Sequence, residues 1–115
     1  MKSRALFYFD MEGKWIEAIK EGRKTVDVRV NIQPYADVKK GDIICYHGVD
    51  VIVKKVNAYY GLNDLLNAEG IKRVVPEASD INEAIRALKF KVHEIERPHG
   101  LLAFEIEALP KEEER

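Results

Sequence analysis

The sequence predicts an α+β domain in which a mixed, largely antiparallel sheet curls into a small barrel, with helices packed over its openings. Three observations predict it. The elements run β, α, β, β, β, α, α, β, which is not the strict alternation of a doubly wound parallel sheet. The hydrophobic period switches between 3.6 and 2 at definable points along the chain. Finally, 115 residues with 46% apolar and 34% charged side chains suit one globular core, neither two domains nor a disordered chain. The domain is expected over residues 1–110, followed by a charged, frayed tail at 111–115.

Residues 4–9, RALFYF, read as a strand of aromatic and aliphatic side chains. Asp10 then stands as a helix N-cap, and Met11, Trp15, Ile16 and Ile19 recur at helical spacing until Gly22 closes the helix. From Thr25 the period becomes 2. Val26, Val28 and Val30 point toward the core, while Thr25, Asp27 and Arg29 point the other way. NIQPYADVKKGD is a loop broken by Pro34 and closed by a Gly41-Asp42 turn. DIICYHG and VDVIVKKVNAYY form a hairpin that turns at His47-Gly48. GLNDLLNAEG is a short helix ended by Gly70, and IKRVVPEAS is irregular. Asp80 and Glu83 are close to a capping box. They introduce a long amphipathic helix on Ile81, Ile85, Leu88, Val92 and Ile95 that ends before Pro98. In the last strand, LLAFEIEA, Phe104 and Ile106 alternate with Glu105 and Glu107.

Net charge is −1, so no global field draws the chain to nucleic acid or to an anionic membrane, and such binding needs a local patch. The charge is built mainly from Lys and Glu, a bias seen in hyperthermophile proteins. Cys45 is the only cysteine, which excludes an internal disulfide and is expected to be a buried strand residue. His47, His93 and His99 are scattered, so neither a metal site nor a cofactor is expected. No basic leader with an apolar run and no membrane-length stretch is present, and a cytoplasmic location is expected.

The densest chemistry lies in residues 22–29, GRKTVDVR. Asp27 and Arg29 share a strand face, about 7 Å apart at roughly 3.3 Å per residue. Lys24 sits at the bend entering that strand. Two cations flanking a carboxylate can bind a phosphate or a polarised carbonyl, Arg as a planar fork and Lys as a compact charge. The same residues would equally suit a solvated edge strand whose ion pairs contribute roughly 0–1 kcal/mol each. Tyr59 ends a strand, where its ring can stack a base or pack beneath a loop. Trp15 fits the inner face of the first helix and is assigned to the core.

A helix closed by glycine, a lysine, a strand with an acid and an arginine two apart, and a later KKGD turn together resemble the ASCH domain, a branch of the PUA-like superfamily. That family's motif is Gly-x-Lys-x-x-Glu-x-Arg. Here it reads Gly22, Lys24, Asp27 and Arg29, with Asp in place of Glu. The closing HGLLAFEIEAL also falls in the family's order, so the resemblance covers nearly the whole chain. It implies a PUA-like barrel with a cleft for RNA, a nucleotide or a modified nucleoside. Lys24, Thr25, Asp27, Arg29, Glu77 and Tyr59 are then the ligand-binding candidates. A membrane partner and sequence-specific DNA binding are not expected.

A subgroup of small bacterial members hydrolyses the amide of N4-acylated cytidines with a lysine, a threonine and a glutamate. Those positions fall on Lys24, Asp27 and Glu77, so a carboxylate stands where the hydroxyl nucleophile would be. If the chain is an enzyme, these three are the catalytic candidates. Asp27 would act as general base to a water or as nucleophile through a mixed anhydride. The third possibility is a regulatory, protein-binding module in which the motif only holds the barrel together.

Overall fold

A computed structural model of the protein describes residues 4–92 and 99–110, and the side chains of all of these except 89–92. Its elements are β1 (Leu6–Tyr8), α1 (Gly13–Lys20), β2 (Val26–Val30), a 3₁₀ turn (Tyr35–Asp37), β3 (Ile43–Tyr46), β4 (Val49–Tyr59), α2 (Leu62–Glu69), α3 (Ile71–Val74), α4 (Ile81–Val92) and β5 (Leu101–Ala108). The expected run of the last helix past Val92, with His93 and Ile95, and the tail 111–115 lie outside the described residues.

The five strands form one sheet in the order β1-β3-β4-β5-β2. β1 runs parallel to β3, and the other pairs are antiparallel, so the sheet is mixed as expected. The ladder between β4 and β5 slips between Val53 and Lys55. A bulge of this kind increases local twist and helps the sheet to curl. The curled sheet is a half-barrel, and its open seam lies between β1 and β2, the two ends of the strand order. Helices α1, α2 and α3 pack against β5, β4 and β2 around it.

Local chemistry explains most of the elements. Gly22 takes φ +81°, the left-handed conformation glycine adopts without strain. Its N–H donates to the Ile19 carbonyl at 3.1 Å and the Arg23 N–H to the Ala18 carbonyl at 2.8 Å, so α1 ends in a Schellman motif. His47 and Gly48 both have positive φ, 49° and 93°, the pattern of a two-residue type I′ hairpin. The Glu83 N–H donates to Asp80 Oδ1 at 2.9 Å, and Glu83 Oε1 accepts from the Ser79 N–H at 2.6 Å. The capping box at α4 therefore forms, with its return bond made one residue early. Val26, Val28 and Val30 are buried together with Trp15, Ile19, Ile44, Val53, Leu65 and Phe104.

Three local expectations are corrected. β1 covers only Leu6–Tyr8 of the 4–9 stretch. Helix α1 starts at Gly13 with Glu12 as its cap, because Asp10 is engaged elsewhere: its carboxylate meets the Met11 N–H and His47. The IKRVVPEAS stretch contains the one-turn helix α3, which brings Val74 and Val75 wholly into the core.

Candidate functional site

β2 was expected to bury one face and leave the other to solvent, charge or ligand. Both faces are covered. Asp27 is 3% exposed, and Lys24, at the bend before the strand, is 2% exposed. A buried charge needs partners, and each has them. Lys24 Nζ donates to the Val26 carbonyl at 2.8 Å and to the Val74 carbonyl, and lies 4.8 Å from the centre of the Trp15 ring. Asp27 accepts from Arg29 Nε at 3.1 and 3.0 Å and from the Tyr46 hydroxyl at 2.5 Å. Arg29 Nη2 donates to the Asp10 carbonyl at 2.7 Å. The Phe9 and Tyr35 rings lie 5.2 and 5.3 Å from the guanidinium carbon.

Burial alone would weaken the Arg29 charge. The attraction of Asp27 outweighs it and holds the guanidinium above its ordinary value. Tyr46 is pushed well above the usual phenol range, first by burial and then by the Asp27 charge, so its hydroxyl stays protonated and donates.

Lys24, Asp27 and Arg29 line one cleft of about 380 Å³, shared with Asp10, Trp15 and Tyr35 and with apolar walls from Met11, Ile32 and Leu88. Lys24, Asp27 and Arg29 therefore meet on a single cavity at the seam of the half-barrel. Glu77 does not line it. Its two oxygens both lie 3.1 Å from the Trp15 indole nitrogen, which donates to them, and Lys14 Nζ lies 3.1 Å from Oε2. Trp15 thus contacts both the Lys24 ammonium and the Glu77 carboxylate. It is buried, as its helical position predicts, yet it also forms part of the cleft wall.

Thr25 and Tyr59 lie away from the cleft. The Thr25 hydroxyl accepts from Arg73 Nε at 3.1 Å. The Tyr59 hydroxyl donates to Glu69 at 2.6 Å, a bond that, with partial burial, pushes it up to about 12. Cys45 is half-buried, which pushes its thiol up and away from thiolate reactivity. Among the described residues no three His, Cys, Asp or Glu side chains are placed to hold a metal ion. No described helix is long and apolar enough to cross a membrane. Sequence reasoning missed Tyr46, Tyr35 and Asp10 as site residues. Phe9, at the end of its strand, carried a signal as an aromatic able to stack a base, and it packs against the Arg29 guanidinium instead.

The Glu77–Trp15 contact yields a testable pH effect. Partial burial pushes the Glu77 carboxyl up. Bonds from its own backbone N–H, the indole and Lys14 outweigh this and hold it below its ordinary value. A carboxylate lowered in this way adds stability above its unfolded pKa, and the contribution disappears as pH falls through the folded pKa. Trp15 is the only tryptophan, so its emission should shift in a single step on acidification below the ordinary carboxylate range. Glu77→Gln should abolish that step. A step of equal size in the variant would assign it to another group.

The ASCH domain matches residues 10–114, nearly the whole chain. The chain belongs to the ASCH domain family. This ASCH domain is similar to the hypothetical protein PH0355, known from a crystal structure, with 31% identity and a TM-score of 0.85 over 90% of this chain and 99% of that one. It is also similar to protein PF0455 from Pyrococcus furiosus, solved by solution NMR, with 28% identity and a TM-score of 0.78 over 92% and 99% of the two chains. A mutant of ZmASCH from Zymomonas mobilis shares the fold, at 13% identity and a TM-score of 0.57 over 88% of this chain and 68% of that one. No match is found among curated protein sequences.

Proposed function

We propose that the cleft at the β2 seam binds RNA or a nucleoside through a single base, with Arg29 as its hydrogen-bonding fork. The observation that carries this reading is the state of Arg29. The guanidinium is held on two sides, Nε by the Asp27 carboxylate and Nη2 by the Asp10 carbonyl, and it lines the cleft beside the Phe9 and Tyr35 rings. A fixed, aromatic-flanked guanidinium on a cleft wall suits a carbonyl or ring nitrogen of a base. The half-buried Tyr35 lines the cleft and supplies an aromatic surface against which a base can pack. A cleft of about 380 Å³ falls within the roughly 300–1,000 Å³ of small-molecule sites. The charges of Lys24 and Arg29 are partly cancelled by Asp27, which favours a base edge over a run of phosphates.

The same geometry favours binding over amide hydrolysis of an N4-acylated cytidine. A general base or nucleophile needs a free lone pair directed at its target. Asp27 is 3% exposed, and its carboxylate is oriented by Arg29 and Tyr46 rather than by a target in the cleft.

Titration of the four ribonucleosides and their 5′-monophosphates, followed by Trp15 fluorescence, tests this. Saturable quenching by at least one nucleoside is expected, with affinity little changed between low and moderate salt. Arg29→Ala should weaken it about 10- to 100-fold, the range of a hydrogen bond to a charged group. No quenching by any of them, or equal affinity in Arg29→Ala, would remove the reading. Turnover of N4-acetylcytidine above buffer would favour the hydrolase instead.

A further inference from the structure

We propose that the Tyr46 hydroxyl positions Arg29 through Asp27, beside the direct contact its ring makes with the guanidinium carbon at 6.0 Å. The inference rests on the cleft being the ligand site and deepens that reading. Tyr46 stands on β3 and its side chain is wholly buried. Its hydroxyl donates to Asp27 Oδ2 at 2.5 Å, a short, charge-assisted bond. The same carboxylate grips Arg29 Nε from the other side, and the Asp10 carbonyl holds Nη2.

Space alone does not require this hydroxyl, since a phenylalanine ring would fill nearly the same volume. What the hydroxyl adds is a second fixed point on the carboxylate. Arg29 and Asp27 lie two residues apart on one strand, so bonds between them leave the pair free to rock together. A donor from a different strand stops that motion. β2 ends the sheet on one side, and β3, with β1 beyond it, lies toward the other. Tyr46 to Asp27 and Arg29 to Asp10 therefore bridge the open seam, where no backbone ladder does. The consequence is a guanidinium held in place on the cleft wall before any ligand arrives. Such preorganisation strengthens binding by removing the ordering cost.

The test combines NMR with a double-mutant cycle. In the wild-type protein the Tyr46 hydroxyl proton should be protected from exchange and shifted far downfield. Tyr46→Phe should leave the fold intact by backbone NMR, yet accelerate Arg29 Nε–H exchange roughly tenfold, the order of one charge-assisted hydrogen bond. It should also weaken binding of whichever ribonucleoside quenches Trp15 most, by a similar factor in the wild-type background and not in Arg29→Ala. Unchanged Arg29 exchange in Tyr46→Phe, equal weakening in both backgrounds, or an unprotected hydroxyl proton in the wild type would each overturn the inference. The hydroxyl measurement needs no variant, so it decides even if Tyr46→Phe folds poorly. If the wild type binds no nucleoside, the cleft reading fails, while the exchange data still decide whether Tyr46 positions Arg29.

Discussion

Asp27→Ala should lower the unfolding free energy by about 3–5 kcal/mol, the range found when one partner of a buried ion pair is removed. Asp27 is the one acid between two buried donors, Arg29 Nε and the Tyr46 hydroxyl. Its loss leaves a largely buried guanidinium with only the Asp10 carbonyl, and a buried phenol with none of its present bond. For a domain with an unfolding free energy of about 10 kcal/mol this removes roughly a third to a half of the total. Urea unfolding followed by far-UV circular dichroism checks it. A loss under 1 kcal/mol would mean that the pair behaves like a surface salt bridge. Asp27→Glu restores the acid of the family motif and is the informative companion. The existing bonds span 2.5–3.1 Å, so one added methylene must displace Arg29 or Tyr46. The expected cost is about 1–3 kcal/mol, as for overpacking a close-packed site. The shorter acid here matches the Tyr46 hydroxyl that meets it.

Lys24→Met should lower stability by about 2–4 kcal/mol, because buried carbonyls that lose a donor cost roughly 1–3 kcal/mol each. The ammonium donates to the Val26 and Val74 carbonyls and so ties the start of β2 to the end of α3. It also loses its place near the Trp15 ring, a contact of about 0.5–2 kcal/mol. Methionine keeps much of the aliphatic stem's volume, so the change isolates the charge. Two measurements separate the roles. Thermal unfolding reports the structural loss. Nucleoside titration well below the midpoint reports whether the folded variant still binds. Weakened binding there supports Lys24 as a wall of the site. Undiminished binding would make it a structural brace alone.

How much of this was legible in the sequence differs by residue. Gly22, the valines of β2, the His47-Gly48 turn and the Asp80–Glu83 cap are each local. A positive φ, a period of 2, a two-residue turn and a three-residue spacing all act within one turn of chain, and each formed close to where it was expected. The start of α1 was misjudged because Asp10 is drawn to Met11 and His47, and the latter is 37 residues away. A cap signal counts only when the side chain has no stronger claim.

The sequence by itself determined the α+β class, the element order apart from the one-turn helix α3, the valine face and the motif that identifies the ASCH family. These follow from backbone periodicity and from residues fixed relative to one another over eight positions. Only the tertiary structure decided which charged residues share a cleft. It joined Asp27 to Tyr46 across 19 residues and Trp15 to Glu77 across 62. It also turned Thr25 toward Arg73 and Tyr59 toward Glu69, away from the residues they were grouped with. The reason is physical. Alternation along a strand says which face a side chain takes, but the curl of the sheet decides what stands opposite that face. Here the half-barrel brings its two ends near enough for side chains to bridge them, and the charges of GRKTVDVR became the clasp of the seam and the wall of its cleft.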